Sequence, residues 1–186
     1  MSVLPDGSRI NRLSDGDEGR IMTATFKEKW EKYRETSPEM KLYALVDGLQ
    51  YERHFDEELT YIAGLNNPLF RQFPDAEIAF AGPWLFDMCQ AQAWEDKFLR
   101  LESAAPAVSW LYTTQSLDKL TRHLEFYLNI QLKTGKTALL RFYDPSVLHQ
   151  IPHLFTQEQL TLFTQNIEAW QYQLNNKAYI VKGIAS

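Results

Sequence analysis

Apolar and polar residues divide the chain into short buried runs set between amphipathic stretches. Phe26, Trp30 and Tyr33 recur at i, i+4 and i+7, which predicts a helix over about 25–36 with one apolar stripe. Thr25 and Glu28 have capping-box spacing at its start, and Ser37-Pro38 ends it. Residues 41–47 form a nearly continuous apolar run closed by Gly48, the pattern of a buried strand with a turn behind it. The spacing then predicts a helix over 51–64, with Phe55, Leu59 and Ile62 inward. Asn66-Asn67-Pro68 reads as a turn, 69–74 as a loop or short strand, and 75–80 as a helical turn. Residues 81–86 read as a turn leading into a short extended piece.

The second half repeats the mixture. A helix is predicted over 90–102, with Trp94, Phe98 and Leu101 on one stripe, and a strand over 107–113. Ser116 can cap a helix running to about 128, buried along Leu117, Leu120 and Leu124. Residues 129–133 and 137–143 read as strands joined by the tight link 134–136, a β-hairpin. A short helix over 147–151 is interrupted by Pro152. Thr156 and Gln159 repeat the capping-box spacing and open a helix to about 165. Residues 168–174 and 178–181 read as a closing hairpin. Strands interleaved with helices give a mixed α/β fold with a partly antiparallel sheet flanked by helices. The expected organisation is a tail over 1–20, one compact α/β domain over 21–145, and a small C-terminal lobe over 146–186.

Charge and cysteine content narrow the functional classes. The net charge is -5 and no Lys/Arg cluster stands out, which argues against a nucleic-acid partner. No run of about 18 apolar residues is present, so no membrane span is expected. A single cysteine, Cys89, leaves no disulfide framework and no paired-cysteine metal motif. A cytoplasmic setting fits these features.

Candidate chemistry is sparse. Thr134-Gly135-Lys136-Thr137 ends like a phosphate loop, but Ile130 stands where its first glycine belongs and a strand follows, so the segment reads as a hairpin turn. His149 and His153 have i, i+4 spacing with Pro152 between them, and no third ligand is near, so neither a metal nor a cofactor is expected. Cys89 reads as a buried or half-buried structural thiol. Asp47 and Asp144 each end an apolar run at a Gly or Pro turn. On neighbouring parallel strands they would share one sheet edge and could do acid–base work; otherwise each caps the helix behind it. Arg141, inside the second run, could pair with either. Phe70, Phe73, Phe80, Trp84 and Phe86 crowd the middle of the chain and suggest an exposed apolar patch for a partner.

Five segments, in order, resemble the adaptor/chaperone family of the bacterial type VI secretion system, the Tap or Tec proteins. They are Leu42-Tyr43-Ala44-Leu45-Val46-Asp47-Gly48, Ala81-Gly82-Pro83-Trp84-Leu85 and Ser109-Trp110-Leu111, then Ser116 through Leu124, and finally Leu139-Leu140-Arg141-Phe142-Tyr143-Asp144-Pro145-Ser146-Val147-Leu148. The resemblance implies a non-enzymatic cytoplasmic protein that binds a cognate toxic effector and loads it onto a VgrG-like spike. It points to Asp47, Trp84, Arg141, Phe142, Tyr143 and Asp144 as motif or partner-binding residues. Ser146 stands where an arginine is common in similar sequences, so a contact through that arginine does not carry over. The alternative reading is a small hydrolase or transferase using Asp47 and Asp144; a third is a structural subunit of a larger assembly.

Overall fold

A computed structural model describes residues 21–71, 75–131 and 134–183. The expected tail over 1–20 lies outside the described residues. Helix α1 (Ile21–Thr36) buries Phe26, whose ring stacks on Trp110 with centroids 4.1 Å apart. It begins before Thr25, so that residue lies inside the helix and not at its N-cap. Strand β1 (Lys41–Asp47) is buried from Leu42 onward and runs directly into α2 (Gly48–Phe55).

Helix α2 stops well short of the predicted 64. Asp56 takes a left-handed conformation (φ 53°) as its C-cap, and Asp56-Glu57-Glu58 would set three acids against the negative end of a longer helix. In the irregular stretch that follows, Leu59 is buried as expected but Ile62 is exposed. Asn66-Asn67-Pro68 is no turn either. It is strand β2 (Asn66–Pro68), an edge strand where a proline is tolerated. Its asparagines do side-chain work: Asn66 accepts from the Ile62 amide at 2.8 Å, and Asn67 donates to Asp118 and Thr121.

A 3-10 turn (Asp75–Ala81) leads into β3 (Pro83–Asp87), and a second (Gln92–Trp94) into α3 (Glu95–Ala104). Strand β4 (Val108–Thr113) is wholly buried. Helix α4 (Leu117–Phe126) is capped by Ser116. Strands β5 (Asn129–Gln131) and β6 (Thr137–Leu139) form a separate two-stranded sheet, with Gly135 at φ 79° in the link. Helices α5 (Pro145–Leu148), α6 (Ile151–Leu154) and α7 (Gln157–Phe163) precede β7 (Ala169–Leu174) and β8 (Lys177–Lys182). The capping box at Thr156 and Gln159 is present.

The main sheet has the order β2-β3-β1-β4-β7-β8, and every pairing in it is antiparallel. The fold is thus mixed α/β and single-domain. Strand alternation sorts the core into two layers. Leu42, Ala44, Val46, Trp110 and Tyr112 face Phe26, Tyr51, Phe98 and Leu101 of the helices on one side. Tyr43, Leu45, Leu111, Trp170 and Tyr172 face Leu120, Leu124, Phe142 and Phe163 on the other.

The segment 146–186 joins the rest of the domain through β7 and β8, which extend the main sheet beyond β4. One expectation changes. The run 137–143 is no buried strand. Pairing ends at Leu139, itself exposed, and the chain turns at Phe142-Tyr143 with the Asp144 amide donating to the Arg141 carbonyl at 2.9 Å. Phe142 fills the core from that turn, edge-on to Phe163 and Trp170.

Candidate functional site

The site begins where β1 ends. Asp47 is 1% exposed, and its carboxylate accepts from the amides of Leu49 and Gln50 at 3.0 and 3.2 Å. These are free donors of the first turn of α2, so Asp47 is an N-cap. Gly48 follows because the backbone of the neighbouring loop passes too close for a side chain: a Cβ there would run into the carbonyl oxygens of Phe80 and Gly82. The Gly48 amide donates to the Gly82 carbonyl at 2.9 Å and locks the two loops together. Gly82 leaves room in turn for the ring of Phe70.

Asp144 repeats the device. Its carboxylate accepts from the Ser146 amide at 2.9 Å and from the Ser146 hydroxyl, opening α5 at Pro145. Arg141 joins the two caps. Its guanidinium lies 3.6 Å from Asp47 and 3.8 Å from Asp144, and 5.7 Å from the Tyr143 ring centre. Burial pushes the Asp47 carboxyl above its ordinary range, while the Gln50 amide, the Arg141 charge and the Leu49 amide pull the other way. Burial likewise raises the Tyr143 phenol.

The fold therefore brings Asp47, Arg141, Tyr143 and Asp144 together, although the premise of two parallel strands fails. Trp84 lies in the same end of the sheet: its neighbour Pro83 pairs with Asp47 in register, and its indole donates to the Ala79 carbonyl at 2.9 Å. Trp84, Phe142 and Tyr143 are buried. Arg141, with 47% of its side chain exposed, is the part of the cluster that meets solvent most.

The aromatic patch expected in the middle of the chain does not form as an exposed surface. Phe70, Trp84 and Phe86 are core residues; Phe73 lies outside the described residues. Cys89 is exposed, not half-buried. His149 faces the Tyr172 hydroxyl at 3.0 Å and packs on Tyr179, and among the described residues no cluster of His, Cys, Asp and Glu suits a metal. No helix of the described residues is long and apolar enough to cross a membrane.

Sequence reasoning missed Gly48 and Gly82 as the contact that closes the site; a glycine directly after a buried strand was the available signal. It also missed Glu102, a buried carboxyl on α3 that accepts from the Trp110 indole at 3.0 Å and from Gln173 at 3.2 Å. Nothing in the local pattern marks that residue.

A family model described as "Domain of unknown function (DUF4123)" matches residues 42–162. The chain belongs to the DUF4123 family. The match runs from the start of β1 into α7, so the whole Asp47–Arg141–Asp144 cluster lies within it, while α1, β7 and β8 lie outside. No curated protein and no solved structure matches the chain.

Proposed function

We propose that this DUF4123 chain is a non-enzymatic adaptor of the type VI secretion system, which binds a toxic effector in the cytoplasm and hands it to a VgrG-like spike. The reading rests on the five ordered segments that resemble that adaptor family, all of which fall within the matched residues 42–162. One observation carries it furthest. The segments containing Asp47-Gly48, Gly82-Pro83 and Arg141-Asp144 are far apart in sequence yet meet at one end of the sheet. There, both carboxylates are occupied as helix caps, and a half-exposed arginine is left facing outward. Such a cluster shapes a surface more readily than it moves a proton. An arginine already pinned by two carboxylates loses little side-chain freedom when a partner docks on it.

A hydrolase or transferase reading, using Asp47 and Asp144, draws support from the raised pKa of Asp47. Only the Asp47 oxygen facing Arg141 is free of the α2 amides, and that oxygen is already engaged with the guanidinium at 3.6 Å.

Co-expression with a VgrG-like spike and a candidate effector from the same gene neighbourhood tests the adaptor reading. The expected result is a complex that survives size exclusion. Arg141→Ala should leave the protein folded, because the side chain is half exposed, and weaken capture of one partner by about tenfold. No complex with either candidate would refute the reading. Activity that disappears in Asp47→Asn would replace it with the enzymatic one.

A further inference from the structure

At the end of the sheet opposite Arg141, a cleft of about 280 Å³ opens where the last turns of α1 lie beside β7 and β8. Lys29, Lys32, Tyr33 and Thr36 line it from the helix, and Glu168 and Lys182 from the sheet. The spacing i, i+3, i+4, i+7 puts the four helical residues on one face. The register of Ala169 with Lys182 brings the last strand's lysine beside the start of β7.

Three ammonium groups against one carboxylate leave this lining two positive charges in excess, on a chain whose net charge is -5. Among the described residues, the ion pairs involve other side chains; none joins Lys29, Lys32 or Lys182 to a carboxylate. Lys29 is the least exposed of the three, with its amine 5.5 Å and 5.7 Å from the Tyr33 and Tyr112 ring centres. Burial and the neighbouring charge of Lys182 hold its pKa below the ordinary lysine value, so the ammonium is under strain that a bound anion would relieve.

We propose that this cleft is an anion site that takes a compact, doubly charged oxyanion of the phosphate class. Its volume lies at the small end of ligand pockets and suits a single group more than a large molecule. Lysine ammoniums act as point charges and select for charge, not for the planar shape that arginine forks prefer. A phosphate group brings close to two negative charges at neutral pH, matching the excess. Every lining residue falls outside the matched residues 42–162, so the site stands or falls independently of the adaptor reading.

The test is a titration of the isotope-labelled full chain with sodium phosphate, against sodium chloride at matched ionic strength, followed by amide shifts. Phosphate should give saturable shifts centred on the α1 lysines and Lys182, and chloride should not. Lys29→Met keeps the apolar stem over Tyr112, and Lys182→Met sits at an exposed strand end. Each should weaken binding by about tenfold, while Lys119→Met should not. If Lys29→Met fails to fold, Lys182→Met decides. Glycerol 2-phosphate and a phosphoserine peptide form two further arms. Tighter binding of either than of the free ion assigns the site to a carried phosphate, and equal binding assigns it to the ion. Linear shifts, an equal response to chloride, or unchanged affinity in both variants would overturn the proposal.

Discussion

Glu102 is costly to ionise where the fold holds it. It is buried beneath Trp110, and burial pushes its carboxyl up to about 8, against the stabilising indole donor. Below the ordinary value of 4.5 the group is protonated in folded and unfolded chains alike. Between 4.5 and about 8 the unfolded chain releases its proton and the folded chain keeps it. Stability should therefore fall as pH rises through that window, by on the order of 1 kcal/mol per unit from this group alone. Glu102→Gln should flatten the trend, since Gln173 can turn its amide to present the matching atom; urea midpoints at both ends of the window measure it. A slope unchanged in the variant would assign the pH dependence elsewhere. Gly48 allows a sharper expectation. Gly48→Ala forces a methyl into two backbone oxygens and should destabilise the fold by about 3 kcal/mol or more, read from thermal unfolding. The caps at Asp47 and Asp144 were legible in the sequence, because a carboxylate ahead of a Gly or Pro turn is an N-cap signal. The arginine that ties them together was legible as a charge in need of a partner, but not as one that reaches both.

Among the elements, those with strong periodicity were readable and those shaped by distant contacts were not. The stripes around Phe26, Phe98 and Leu120 and the continuous runs of β1 and β4 announce themselves. Strand β2 hides because asparagine and proline carry turn chemistry, and only its pairing with β3 and the side-chain bonds of Asn66 and Asn67 make it extended. The run after Lys136 misleads in the opposite direction. Leu140, Phe142 and Tyr143 are apolar enough for a buried strand, yet they reach the core from a turn, with Leu140 bonded back to the Leu128 carbonyl at 2.7 Å. Thr156→Ala should cost about 1 kcal/mol, because both halves of the capping box at α7 are made. A chemical-denaturation midpoint left unmoved would show that α7 is held by Leu160 and Phe163 alone.

For the whole molecule, the consequential finding is that the C-terminal hairpin belongs to the main sheet. Trp170 stacks on Phe163 at 5.3 Å and donates to the Ser109 hydroxyl at 2.8 Å, so β7 is tied to a strand that lies 61 residues earlier in the chain. Trp170→Ala should cost roughly 3–5 kcal/mol. Truncation before β7 should abolish cooperative unfolding by baring the edge of β4. A truncated chain that melted cooperatively would show that the sheet up to β4 folds without the hairpin. The merger was not legible because a hairpin pattern specifies its own two strands and not the third they join. Exposed Cys89 makes docking on this fold measurable. It is the chain's single cysteine, and it sits just past β3, where the Met88 amide bonds to Leu42 near the start of β1. The native sequence thus carries a unique thiol handle across the sheet from the Arg141 cluster. A maleimide dye there can report docking by energy transfer, with no engineered cysteine and no label on the surface under test.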